Sequence, residues 1–147
     1  MDRRTEPDLL AVARHHAASP LPIRFDPVDR WYTRLAAQRD HEVWLLTWLP
    51  GQGTDLHDHG GSAGAFLVVS GTLTEEVVVG GRLRPHQLTP GLGRRFGVRH
   101  VHQVTNRGNQ PAVSVHVYRP ALHRMTRYRL TDGLLQVAEV AHAGVAW

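Results

Sequence analysis

From Ile23 onward the chain alternates short apolar or half-apolar runs with polar joints, and the runs recur about every eight to twelve residues. They read RWYTRLA, EVWLLTWL, GAFLVVSG, TLTEEVVV, GRLRPHQL, HVHQVTN, AVSVHVY, RYRL and LLQVAEV. Side chains two apart on a strand share a face, so this short period predicts strands. The joints LPGQG, VVGGRL, TPGLG and NRGNQP carry the residues that tight turns favour. Ahead of them, PDLLAVARHHAA (7–18) gathers Leu9, Leu10, Val12 and Ala13 on one helical face, which predicts a short helix packed outside the main core. The expectation is an all-β antiparallel sandwich or small barrel over about 22–140 with a short N-terminal helical segment. No repeat, low-complexity stretch or linker divides residues 1–147, so a single domain is expected.

Composition narrows the chemistry. A chain of 147 residues suits one hydrophobic core. It contains no cysteine, which removes disulfides, thiolate metal sites and cysteine nucleophiles, so any metal must be held by His, Asp or Glu. The stretch MDRRTEPDLLAVARHHAASP lacks the apolar centre of a signal peptide, and no run approaches the roughly 20 apolar residues of a membrane span. A cytoplasmic protein without membrane association is expected. The formal charge of +4 rests on 17 basic residues, all arginine, with no block of like charge; the densest cluster is Arg94, Arg95 and Arg99. That is a poor footprint for nucleic acid, which is not expected as a partner.

The stretch LHDHGGSAGAFLVVSGTLTEE (56–76) carries the chemistry. On extended backbone His57 and His59 face the same way, while Asp58 between them points oppositely. Two neutral imidazoles turned into an interior waste desolvation energy unless something accepts their lone pairs, which a divalent metal does. Loop histidines bonded to water or backbone are the other reading of such a pair taken alone. In HVHQVTN, His102 adds a third imidazole from a distant segment, and three histidines can form a facial triad with positions left open for substrate and oxygen. His100 shares the face of His102 and is its rival, but only His102 stands four residues before Asn106. His15, His16, His41, His86, His123 and His142 have no comparable spacing.

GQGTDLHDH and HQVTN also have the spacing of the two cupin signatures, with Gly51 six before His57 and Gly71 twelve after His59. Gly64 occupies the position where many cupins place a glutamate ligand. The fold implied is a small cupin-type double-stranded β-barrel, or jelly roll.

From about Trp31 to Pro120 the sequence resembles the cysteine dioxygenase family of thiol dioxygenases. WYTR is similar to the segment whose tyrosine and arginine hold the substrate carboxylate, which implies that role for Tyr32 and Arg34. HDHGGSAGAF resembles the motif bearing two iron ligands, here His57 and His59, and HQVTN the one bearing the third, His102. SVHVY resembles the Ser-x-His-x-Tyr element beside the iron, here Ser114, His116 and Tyr118. The resemblance implies non-haem Fe(II), thiolate and amine binding by L-cysteine, and its oxidation by O2 to cysteine sulfinic acid. Strand alternation agrees with it, since Ser114, His116 and Tyr118 share one face while Val113, Val115 and Val117 share the other. Arg34 shares a face with Tyr32, where a guanidinium can grip a carboxylate bidentately.

Two departures stand out. Mammalian members have a cysteine at the position of Gly64 that becomes linked to the active-site tyrosine, so Tyr118 here must stay an unmodified phenol. Arg119 replaces a small residue after Tyr118 and offers a second cation. A dioxygenase for 3-mercaptopropionate or another small thiol acid is therefore an alternative reading, although relatives of that type carry glutamine at the position of Arg34. A non-catalytic metal-binding cupin module is a third reading, from another class. A monomer taking a small thiol and O2 is expected.

Overall fold

The computed structural model describes residues 6–142. One helix, α1 (Leu9–Ala17), precedes eleven strands: β1 (Trp31–Ala37), β2 (Glu42–Trp48), β3 (Leu56–His57), β4 (Ala63–Ser70), β5 (Leu73–Val79), β6 (Arg82–Leu88), β7 (Gly93–Phe96), β8 (His102–Thr105), β9 (Ala112–Arg119), β10 (Arg124–Thr131) and β11 (Leu134–His142). They form two antiparallel sheets, ordered β1-β2-β9-β4-β7 and β11-β10-β3-β8-β5-β6. The all-β expectation holds, and each sheet mixes strands distant in sequence.

Alternation along the central strands divides the apolar residues into two cores. Leu46, Trp48, Phe66, Val68, Leu73, Val104 and Tyr118 pack together in one cluster. Val43, Leu45, Ala65, Leu67, Val113, Val115 and Val117 face the opposite way and form a second with Leu10 and Ala13 of α1. The helix thus covers the back of the five-stranded sheet, so strands β2, β4 and β9 are buried on both faces and read as nearly continuous apolar runs. Asp8 caps α1, its carboxylate accepting from the backbone N–H of Leu10 at 3.0 Å and of Ala11 at 3.4 Å. The same carboxylate receives two hydrogen bonds from Arg95 on β7, at 3.0 and 2.8 Å, which fastens the helix to the sheet edge.

The segment that matters most for the site is barely a strand. β3 contributes two residues, yet it is held on both sides, with His57 opposite His102 of β8 and opposite Arg127 of β10. After His59 the chain reverses through Gly60 and Gly61, both with positive φ, into β4. A side chain at Gly60 would lie 2.4 Å from the carbonyl oxygen of Arg124, so the turn that ends the histidine segment needs glycine there.

Candidate metal centre

His57, His59 and His102 converge. One nitrogen from each lies within 4.8 Å of the others, and all three residues are buried. Their ring centroids form a near-equilateral triangle with sides of 5.0, 4.8 and 4.9 Å. Asp58 faces away, as alternation predicts: its carboxylate accepts from Tyr128 Oη at 2.7 Å and from the Thr126 backbone N–H at 2.9 Å.

Each ring's protonation follows from what surrounds it. His57 Nδ1 lies 2.7 Å from the Asp55 carbonyl, which can only accept, so Nδ1 carries the proton and Nε2 keeps its lone pair. His102 Nδ1 lies 2.7 Å from Glu75 Oε2, with the same consequence. Burial, followed by the neighbouring imidazoles, holds His57 and His59 well below the ordinary histidine range. His102 is lowered by burial as well, against the pull of Glu75. All three are neutral, as metal ligands must be. His59 Nδ1 is buried without a hydrogen-bond partner among the described residues. Three neutral rings turned toward one point, with one polar nitrogen unanswered by the protein, fit a divalent cation, and an all-imidazole set suits iron, zinc, copper or nickel.

Aromatic packing fixes the rings. His59 stacks on Phe96 at 4.4 Å between centroids and lies 5.6 Å from the Tyr118 ring. Phe96 also fills the space beside Gly64, where a Cβ would come within 2.4 Å of its Cζ and 2.5 Å of the Val117 carbonyl oxygen. Gly64 is opposite Tyr118 in the β4–β9 register.

A cavity of about 290 Å³ opens on the cluster. His57 and His102 line it together with His116, Tyr118, Tyr32 and Arg30. Ser114 Oγ accepts from Trp48 Nε1 at 2.9 Å and sits 2.7 Å from His116 Nε2, so its one proton is available to that nitrogen. Burial pushes His116 down to about 3. It pushes the Tyr118 phenol up, so both groups are neutral at physiological pH. The polar face of β9 therefore looks into the cavity and its three valines look at α1.

The structure does not bring Arg34 into that group. Its side chain is 56% exposed and lies 3.9 Å from the Glu42 carboxylate. Arg119 is likewise outside, 3.3 Å from Glu6. Two arginines line the cavity, Arg30 and Arg127. Arg127 is engaged by Glu139 at 2.7 Å, whereas Arg30, four residues before Arg34, has its guanidinium 5.4 Å from the Trp48 ring centroid and its Nε buried without a partner among the described residues. RWYTR offers an arginine on the cavity face on either side of Tyr32, and alternation alone does not rank them.

His100 lies beside His102, with ring centroids 4.8 Å apart, but is turned to Glu75 rather than to the other two ligands. Its Nε2 is 3.4 Å from Glu75 Oε2 and its ring stacks on Phe96. Glu75 is the feature that pattern reading missed. It is fully buried, accepts from His102 and also accepts from Arg94 Nε at 2.7 Å. Burial alone would raise its carboxyl, but the hydrogen bonds from His100 and His102 and the Arg94 guanidinium hold it well below the usual carboxylate range. A glutamate sharing a strand face with the core residue Leu73 was the available signal.

Two opposed antiparallel sheets enclosing a buried histidine triad have the architecture of a cupin, a double-stranded β-helix, here with a triad able to hold a metal ion. The chain belongs to the cysteine dioxygenase type I family, whose model matches residues 18–130. The fold is shared with the TT1209 protein of Thermus thermophilus, at 23% identity and a TM-score of 0.61 over 67% of this chain and 90% of that one. It is also shared with a Klebsiella pneumoniae protein described as having a double-stranded β-helix domain, at 20% identity and a TM-score of 0.60 over 80% and 90% of the two chains. A cupin superfamily protein of Desulfitobacterium hafniense aligns with a TM-score of 0.57 at 14% identity, over 69% and 91%. No curated protein sequence matches this chain. Among the described residues no helix is long and apolar enough to cross a membrane.

Proposed function

We propose that the protein is an Fe(II)-dependent thiol dioxygenase that converts L-cysteine and O2 to cysteine sulfinic acid. The carrying observation is the conjunction of three neutral, converging imidazoles, two of which line one small cavity, with a half-buried guanidinium on the same cavity whose Nε has no partner among the described residues. Membership of the cysteine dioxygenase type I family supports the reaction type. His57, His59 and His102 would hold the iron, which supplies O2 activation and a binding place for the substrate thiolate and amine.

The remaining chemistry belongs to the chain. Arg30, rather than Arg34, binds the substrate carboxylate, because its Nε is the orphan and it lines the cavity. Trp48 beneath the guanidinium holds it in place and excludes water. Tyr32 lines the same wall. Tyr118 stays a neutral phenol whose hydroxyl orients substrate and oxygen, and Ser114 and His116 hold the strand's polar face in one hydrogen-bonded arrangement behind it. The reaction balances without an external reductant: both atoms of O2 end on the sulfur, and RSH becomes RSO2H.

The test is oxygen uptake by the protein reconstituted anaerobically with Fe(II), with the sulfinate product identified by mass. Uptake with L-cysteine at one O2 per sulfinate is expected. Uptake with 3-mercaptopropionate alone would move the assignment to that thiol acid, and retention of zinc with no uptake from any thiol would leave a metal-binding module without catalysis.

A further inference from the structure

Behind His102 lies a line of charge that the proposed reaction does not use. Glu75 on β5 stands opposite Val104 of β8, which makes His102, two residues earlier on β8, its diagonal neighbour on the same face. From that position one carboxylate oxygen meets His102 Nδ1 at 2.7 Å and the other meets Arg94 Nε at 2.7 Å. The carboxylate has no exposed surface, whereas the Arg94 side chain is 38% exposed, so the line runs from solvent to the ring. A buried carboxylate without solvent is costly unless it is paired and hydrogen-bonded, and here both conditions are met.

A second grouping of possible ligand atoms, Glu75, His100 and His102, also lies within 4.8 Å. A second cation there is disfavoured by the same contacts. Arg94 already supplies the counter-charge to Glu75, and the His102 proton sits on the nitrogen such a cation would need. The cluster is therefore better matched to orienting a ligand than to binding another ion.

We infer that Glu75 is a positioning residue for the metal: its carboxylate, fastened by Arg94, locks His102 with the proton on Nδ1, aims Nε2 at the site and makes that imidazole the most electron-rich of the three ligands. The inference rests on the proposed histidine site. His57 donates to a neutral backbone carbonyl whereas His102 donates to a carboxylate, so these two ligands are electronically unequal. Carboxylate or carbonyl partners behind ligating histidines fix ring orientation and raise ligand basicity, and their loss costs about 10- to 100-fold in metal affinity or activity.

The experiment titrates Co(II) into the metal-free protein and follows its visible absorption in the parent, Glu75→Gln and Arg94→Met. Glutamine keeps the shape and an accepting oxygen but removes the charge. The expected result is Co(II) affinity about 10- to 100-fold weaker in Glu75→Gln with a shifted absorption band, and a smaller change of the same sign in Arg94→Met. Unchanged affinity and spectrum in a folded Glu75→Gln would overturn the inference while leaving the histidine site standing. A parent that takes up no Co(II) would remove both. Ring 15N NMR of the metal-free parent gives a reading that needs no variant: the proton on Nδ1 of His102 is expected, and a proton on Nε2 would overturn the assignment even if Glu75→Gln failed to fold.

Discussion

A guanidinium half-buried against an indole loses solvation that an anion can restore. Arg30 is such a group, its affinity for its proton lowered first by burial and restored only in part by Asp29 and the nearby phenols. The described residues offer its Nε no partner, so the side chain is poised for an anion that arrives with the substrate. Arg30→Gln is expected to raise KM for L-cysteine at least 10-fold, from the loss of roughly 1.5 to 3 kcal/mol in charged hydrogen bonds, while Arg34→Gln leaves KM nearly unchanged. Steady-state oxygen uptake measures both, and equal effects of the two substitutions would defeat the distinction. Cysteamine, which has no carboxylate, should respond to neither. Tyr118→Phe should keep its metal but lose turnover by up to about 100-fold, as for other single positioned donors; unchanged kcat would leave Tyr118 as packing. At this scale the histidines and the SVHVY face were legible because strand alternation is local. Arg30 and Glu75 were not, because their roles depend on depth along the barrel and on a diagonal neighbour 27 residues away.

Elements carry the next constraint. β4 runs between β7 and β9, and a Cβ at Gly64 would meet Phe96 of the one and the backbone of Val117 of the other. The Phe96 ring can turn aside, but the Val117 carbonyl oxygen 2.5 Å from a would-be Cβ is backbone in the middle of a sheet. Gly64→Cys is therefore expected to destabilise the fold by about 1 to 3 kcal/mol through overpacking. In a Phe96→Leu background part of that cost should disappear, so a double-mutant cycle in urea should give a favourable coupling. Strict additivity of the two would place the strain elsewhere. The glycine thus does more than omit a sulfur: Phe96 has taken the space and uses it to stack on His59. β7 itself escaped the pattern reading. GRRF offers one apolar side chain, and its two arginines are spent on Asp8 and Glu75, so no alternation betrays a strand. β3 was legible only as extended backbone around His57, since two residues carry no period of their own to mark a strand.

Over the whole molecule, the type of the elements and most of the strands could be read from turn spacing, whereas the sheet order could not, because β3 lies between β10 and β8 and β9 between β2 and β4, all long-range pairings. The same topology gathers buried histidines from three distant segments around one interior, and this gives the fold a pH dependence. His116 is buried and neutral, with its pKa lowered to about 3 by burial and then by the neighbouring His102 and Arg30. An unfolded chain binds a proton at this position near a pH of about 6.5. Above that pH neither state is protonated and His116 contributes no slope. Below it the unfolded state gains a proton that the folded state refuses, so stability falls by about 1.4 kcal/mol per pH unit until the pH nears the folded value. His116→Gln removes this one contribution and leaves the other buried histidines in place. Urea unfolding of the metal-free parent and variant from about pH 7 to about pH 4 should show the parent losing stability more steeply by about that amount per unit below about pH 6. Parallel profiles would mean that His116 is protonated in the folded protein, and the Ser114 hydroxyl would then be accepting from that ring.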